Sequence, residues 1–276
     1  MRMKFGLTFA VALLSSGLSA HAACESKLAS PPLIEGGKLV MSINPVLPPM
    51  QFVDEKGVLQ GLNVELGNEI AKRLCLEPVF IKIDFQAMVP GLQAKRWDLI
   101  NTGIFWTDER AKIMYLVNYG AQAVSVLTEP GNAKKILKPE DLAGKSVAVE
   151  IGTYAERRLK QFSDDFVKQG MKPVDVRSFN TGAEGYQALG SGQVDAAMSI
   201  DTTAAEMVKR ANFAWPMKGI GGSPIAFAAG NKQIAEAVAG ALQELRASGD
   251  YAKLFAKYDF AELPEPTFTI NGPGPL

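Results

Sequence analysis

Thr107-Asp108-Glu109-Arg110 closes the stretch NTGIFWTDER (101–110) and sets a permanent cation just beyond an apolar run. A guanidinium is a planar fork of donors that fits a carboxylate bidentately, and partial desolvation strengthens the pair. If 98–104 is a strand, Thr102, Gly103 and Phe105 come to its carboxyl edge, where open α/β sheets hold their ligands. Asp108 and Glu109 then fall in the acid-rich first turn of a helix, and Arg110 can reach back to that edge. The competing reading is a surface arginine paired with Asp108 or Glu109. Two further carboxylates, Glu150 and Asp201, have plain readings as a rim charge and as a helix N-cap. Gly152-Thr153, opening a helix, offers backbone N–H groups and a hydroxyl to an anion or polar group, or else forms a plain N-cap.

Other chemistries are removed by composition. Among 276 residues there is one histidine, His21. It falls in a segment that reads as an export signal: Arg2 and Lys4, an apolar core from Phe5 to Leu18, and Ala20-His21-Ala22 at the cleavage site. A buried N-terminal helix is the alternative. Loss of residues 1–22 takes two of the 29 basic residues, leaving 27 against 29 acidic ones. Such a chain has no imidazole for Ser-His-Asp, Cys-His or histidine–zinc sites, and no basic excess to draw it to nucleic acid. No later stretch is long and apolar enough to span a bilayer. No metal and no cofactor is expected, although catalysis by carboxylates or lysine stays open. Cys24 and Cys75 both survive processing, and in an oxidising compartment they point to one disulfide. Rival readings are two free thiols, or a lipoprotein acylated at Cys24, whose preceding His-Ala-Ala lacks the usual leucine.

Strand-like runs alternate with helical patterns, which predicts an α/β architecture with largely parallel sheets. KLVMSI (38–43), VFIKI (79–83), 98–104, KSVAVE (145–150), VDVRSF (174–179) and VDAAMS (194–199) read as strands. Leu66, Ile70 and Leu74 share one face of a helix from about Asn63 to Leu74. Shorter helices are expected over Met88–Ala94 and Ala183–Leu189, and a longer one over Ile234–Leu245. GLQAKRWDLINTG (91–103) and GYQALGSGQVDAAMS (185–199) echo each other, each running from a helix through a turn to an Asp and a strand. Two similar lobes follow.

Along nearly all of the exported part, the chain resembles the family 3 extracellular solute-binding proteins, the periplasmic receptors of polar amino acid ABC importers. The resemblance is carried by GKLVMSINPVLPPMQFVDEKGVLQGLNVELGNEIAKRL (37–74), MVPGLQAKRWDLINTGIFWTDERAK (88–112), DLAGKSVAVEIGT (141–153), GQVDAAM (192–198) and PIAFAAGNKQIAEAVAGALQELRASGDYAKLFAKY (224–258). It implies the two-lobed type II periplasmic-binding-protein fold, each lobe a βα sandwich, closing on a small ligand. Lobe 1 would be 24–120 plus 226–276 and lobe 2 would be 125–221, with hinge crossings near 120–124 and 222–225. A carboxylate-bearing ligand, an inner-membrane permease as partner and a monomeric state are implied with it.

In that family the arginine of the T-x-x-R pattern, here Arg110, holds the ligand's α-carboxylate, and an aromatic at the place of Phe85 covers the ligand. Amine recognition departs from the pattern. Asn44 stands where an Asp is frequent, Leu47 where an aromatic is common, and Phe105 where a hydroxyl residue is expected. The usual lobe 2 carboxylate position is Ile200, so Asp201, through a one-residue bulge, or Glu150 must replace it if the ligand is an amino acid. Phe85, Phe105, Trp106 and Tyr154 give the site an aromatic cast suited to a flat or cationic group, with Leu47 and Met50 as further wall or as core. A dehydratase of the prephenate or arogenate type on the same fold, with Glu150 or Asp201 as acid, is the enzymatic alternative. The third is a ligand sensor feeding a separate protein. The chain ends at Leu276 without a kinase region, which favours a free receptor.

Overall fold

The computed structural model describes residues 24–26, 28 and 32–273, so the segment 1–22 read as an export signal lies outside the described residues. From the N-terminus, β1 (Lys38–Ile43) leads into a small antiparallel sheet of β2 (Val46–Leu47), β3 (Gln51–Val53) and β4 (Leu59–Gln60). Helix α1 (Leu62–Arg73) follows, then β5 (Glu77–Lys82), α2 (Phe85–Gln93), β6 (Leu99–Phe105), the single turn α3 (Asp108–Ala111) and the long strand β7 (Tyr115–Thr128). The second unit comprises β8 (Ser146–Glu150), α4 (Tyr154–Lys168), β9 (Asp175–Phe179), α5 (Gly182–Gly190), β10 (Ala196–Ile200) and α6 (Asp201–Ala211). β11 (Ala214–Ala229) returns to the first, where α7 (Lys232–Ala247), α8 (Asp250–Lys257) and β12 (Ile270–Asn271) complete it.

All but the small sheet's strands join in one sheet, ordered β5-β1-β6-β11-β7-β10-β8-β9, with β12 on β7. Pairing is parallel within the wings β5-β1-β6 and β10-β8-β9, where helices connect successive strands. Between the wings it is antiparallel, which corrects the expectation of largely parallel sheets. Segments 120–124 and 222–225, the expected crossings, lie inside β7 and β11, two paired strands of 14 and 16 residues. The β11 register on β7 shifts repeatedly between Ala214 and Ser223, and Gly219 and Gly221 there have φ of +67° and +59°. Such irregularities bend a strand and let one ladder serve both wings.

Each wing is registered by the same device, which accounts for the two echoing sequences. Asp98, one residue before β6, accepts hydrogen bonds from Ile34 N and Val40 N at 2.9 Å. Asp195, one residue before β10, accepts from Ser146 N (2.9 Å) and Ser146 Oγ (3.1 Å). In the core, Leu66, Ile70 and Leu74 are buried on the face of α1 that their spacing predicts, and Ile234, Val238, Leu242 and Leu245 do the same for α7.

Cys24 and Cys75 form a disulfide, Cα to Cα 5.5 Å, tying the chain's start to the end of α1. A sulfur in that bond cannot also carry a lipid, so the free-thiol and lipoprotein readings fall away. Closing a loop across 51 residues restricts the unfolded chain. Cys75→Ser is expected to lower the unfolding free energy by about 2–4 kcal/mol in urea titrations. Added reductant should destabilise the parent protein by a similar amount and leave the variant unchanged.

Candidate functional site

The carboxyl end of β6 is fixed from behind by a buried chain of side-chain hydrogen bonds. Tyr251 Oη donates to the Tyr119 carbonyl (2.6 Å) and Tyr119 Oη to Asn63 Oδ1 (2.6 Å). Asn63 Nδ2 donates to Gln51 Oε1 (2.6 Å), and Gln51 Nε2 to Thr102 Oγ1 (2.7 Å). Thr102 therefore accepts from the core and keeps its own hydroxyl proton for a group in the cleft. Gly103 follows with φ +66°, and a Cβ there would stand 2.9 Å from Tyr119 Oη, so only glycine fits.

Beyond Phe105 the chain turns into α3. Thr107 caps it, its side chain accepting from Arg110 N at 3.2 Å. That turn swings the guanidinium back to the strand end, where Nη1 donates to the Phe105 carbonyl at 2.8 Å. Nη2 crosses the cleft to the Gly152 carbonyl at 3.2 Å, and the Phe85 ring lies 5.5 Å from the guanidinium carbon. Glu109 pairs with Arg157 across the cleft instead of with its neighbour, and among the described residues Arg110 forms no ion pair. Burial, then the nearby Arg157, lowers its pKa to about 10, so it stays charged at neutral pH.

Opposite stands Glu150, the last residue of β8. It is no rim charge: 7% of its surface is exposed, and Oε1 accepts from Asn44 Nδ2 of the other lobe at 2.9 Å. Burial pushes its pKa up to about 7, against the Asn44 hydrogen bond and with a further push from the carboxylates of Asp84 and Glu184. Tyr186, whose hydroxyl is 2.6 Å from Ser199 Oγ, also feels this charge.

Between these groups lies a cleft enclosing about 660 Å³ of empty space, part of it open to solvent. Leu47, Phe85, Thr102, Gly103, Phe105 and Arg110 line it from the first lobe. Glu150, Thr153, Tyr154, Tyr186, Ser199 and Ile200 are on the opposing wall. Phe105 and Tyr154 stack face to face across it, centroids 4.4 Å apart and planes within 4°.

Several expected residues have other duties. Asn44 is off the cavity wall and acts through Glu150. Thr153 is the N-cap of α4: its hydroxyl donates to the Glu150 carbonyl (2.7 Å) and accepts from Glu156 N (3.2 Å). The Gly152 N–H is taken by Glu156 Oε2 at 2.8 Å, so the offer of free donors at this helix start is not realised. Asp201 is not brought to the cavity. β10 pairs β7 without a break from Ala197 to Ile200, so no bulge turns Asp201 inward, and its carboxylate accepts from Ser125 Oγ and Gly219 N. Trp106 and Met50 are also off the wall, Met50 being core. Sequence reasoning missed Tyr186 and Ser199 with Gly182 and Gly185, which hollow the second lobe beside Glu150. Their signal was two glycines three apart on one face of α5, next to a tyrosine.

A two-lobed α/β scaffold with opposite charges facing across an interlobe cleft defines a small-solute receptor. Residues 39–262 match the profile of the bacterial extracellular solute-binding proteins, family 3, and the chain belongs to that family. It is 28% identical over 234 residues to the L-cystine-binding protein TcyJ of Escherichia coli (strain K12), covering 83% of this chain and 85% of that one. Among solved structures, an ancestral arginine-binding protein bound to arginine is 30% identical with a TM-score of 0.75, covering 80% of this chain and 98% of that one. The ancestral amino acid-binding protein AncCDT-1, a precursor of cyclohexadienyl dehydratase, is 27% identical with a TM-score of 0.72, over 80% and 95% of the two chains.

Glu150 makes stability depend on pH with a definite sign. Its folded pKa, about 7, lies above the ordinary 4.5, so its contribution is full below 4.5 and is lost as pH rises through 7. In ligand-free protein the melting temperature should fall between pH 5 and pH 8, and the Glu150→Gln variant should lose most of that slope.

Proposed function

We propose that this protein captures an amino acid or related small carboxylate between its lobes in the periplasm and delivers it to the permease of an ABC importer. It works as a monomer, after an export signal over 1–22 is removed. One observation carries the reading: the Arg110 guanidinium faces the cleft bonded to two backbone carbonyls and, among the described residues, in no ion pair, so its charge is left for the ligand. A carboxylate is the anion its fork fits, and the Thr102 hydroxyl is placed to donate beside it. The named ligands of TcyJ and of the ancestral protein, cystine and arginine, are both amino acids.

A buried carboxyl that holds its proton to about pH 7 is also what a general acid needs, and one structural relative is a precursor of a dehydratase. We read Glu150 as a binding group. Incubation with prephenate should leave it unchanged, and product formation would replace this reading with the enzymatic one.

Thermal-shift screening of refolded, ligand-stripped protein against amino acids, opines, betaines, polyamines and aromatic carboxylates should find a stabilising carboxylate. A ligand at ~100 times its Kd adds about 2.7 kcal/mol. Arg110→Ala should weaken that hit at least ~30-fold, the scale of losing one partner of a buried charge pair. Equal affinity in the variant would remove Arg110 from the site.

A further inference from the structure

Resting on the carboxylate-receptor reading, we propose that the Phe105–Tyr154 stack is a fixed end wall of the cavity, so that the ligand's body runs the other way, into the second lobe, where Gly182 sets how far it reaches. The receptor then takes carboxylates with a slim, straight body and grades them by length.

The two rings close on each other and leave no slot for a ligand. Their centroids, 4.4 Å apart with planes within 4°, stand at the short limit for aromatic pairs, so nothing enters between them. Both residues are also tethered to one stretch of β11. Phe105 pairs with Ile225 in the ladder, and the next residue's amide, Trp106 N, donates to the Pro224 carbonyl at 2.8 Å. Tyr154 Oη donates to the Gly221 carbonyl at 2.7 Å. Gly221 has φ +59°, and a Cβ there would stand 3.2 Å from that hydroxyl, so the strand comes this close only as glycine. A stack pinned through both residues to a strand that joins the lobes shuts the cavity on that side.

Arg110 fixes where the ligand begins. Its Nη1 is bonded to the Phe105 carbonyl, so a carboxylate on the guanidinium lies beside the wall and the rest of the molecule leads away from it. Space in that direction comes from side chains that are absent or short. At Gly185 a Cβ would stand 3.3 Å from Ala148 Cβ, so α5 lies close on β8 and the space is narrow. At Gly182 a Cβ would keep 3.8 Å from the Tyr186 ring and from Glu150 Oε2, an ordinary contact. Gly182 also has no positive φ, so the backbone tolerates a side chain there, and that side chain would enter the cavity. Ala197, Met198 and Ile200 add apolar wall, and the Tyr186 and Ser199 hydroxyls bond each other. A narrow, largely apolar hollow accepts a straight aliphatic body and is filled from its far end by any group placed on Gly182.

Isothermal titration of refolded, ligand-stripped protein reads this with two straight-chain sets. One is L-2-aminobutyrate, L-norleucine and L-2-aminooctanoate; the other is the same chains without the amine, butanoate, hexanoate and octanoate. At least one set should bind. Gly182→Val should weaken L-norleucine, or hexanoate, at least about tenfold more than the shortest member of its set, the scale of a methylene misfit in a pocket, and Gly182→Ala should weaken it less. Phe105→Ala opens the barred end, and an apolar void of that kind takes up an apolar group. There the longest member should gain about tenfold on the shortest. Tyr154→Ala opens the same end and replaces Phe105→Ala if melting curves show that variant unfolded. A loss in Gly182→Val that falls on all members alike, or on none, would overturn the proposal with the receptor reading intact. So would a longest member that gains nothing, or loses, when the end is opened, which would put the ligand against the rings. Binding of other carboxylates of the wider panel while both sets fail would overturn it too. Failure of both sets and of the whole panel would remove the receptor reading and this proposal with it.

Discussion

Arg110 cannot give up its charge, so wherever the fold takes it out of water it must be met by fixed acceptors. Two carbonyls meet it here, Phe105 from its own strand and Gly152 from the other lobe. Neither carries a full charge, so the guanidinium is held in place without being neutralised. Much of the local architecture serves that condition. Thr107 caps the turn that aims the side chain, and the Tyr251–Tyr119–Asn63–Gln51 chain anchors the strand end beneath it. Glu109 is drawn away to Arg157, which removes the nearest acid that would have satisfied the arginine internally.

Contacts between the lobes are modest beside the ladder that joins them. The Glu109–Arg157 pair is 45% exposed on the arginine and 70% on the glutamate, so solvent screens it. Gln86 and Asn180 meet at 3.4 Å on the surface. The Phe105–Tyr154 stack adds about 0.5–1.5 kcal/mol beyond its buried area. By contrast β7 and β11 pair over almost their full lengths, with register shifts spread along the ladder from Ala214 to Ala226. Contacts that exist only when a ligand touches both lobes would add directly to these.

The sequence carried the fold well because periodicity reports burial directly. Leu66, Ile70 and Leu74 face the core as their spacing requires, and the six main parallel strands lie within two residues of where their apolar runs put them. Less legible was the span of β7 and β11, because the small residues at 120–124 and 222–225 mark a chain crossing without showing that it is made by two paired strands. At the site, Arg110 was legible because its cap, its turn and its strand are adjacent in sequence. The acid was not. Choosing between Glu150 and Asp201 depends on whether β10 keeps register to Ile200, and on Asn44, 106 residues from Glu150, reaching it. Alternation in a strand sends neighbouring residues to opposite faces, so a shift of one residue decides whether a carboxylate lines the cleft. The duties of Thr153 and Gly152 were hidden for a similar reason, since Glu156 occupies them from one turn further along α4.

The relative sizes of these terms set what the cleft can discriminate. Aromatic contact from Phe105, Tyr154 and Phe85 is worth about a kcal/mol per ring pair and tolerates many ligand shapes. An unpaired buried charge costs several times that, and the cost falls on Arg110 and Glu150 separately, at opposite sides of one cavity. Rings therefore orient a ligand, while the two charges decide which ligands enter. Glu150 can be neutralised by a proton in the empty state and Arg110 cannot, so the empty cleft retains a net positive charge at neutral pH. A carboxylate is attracted to the cleft for that reason.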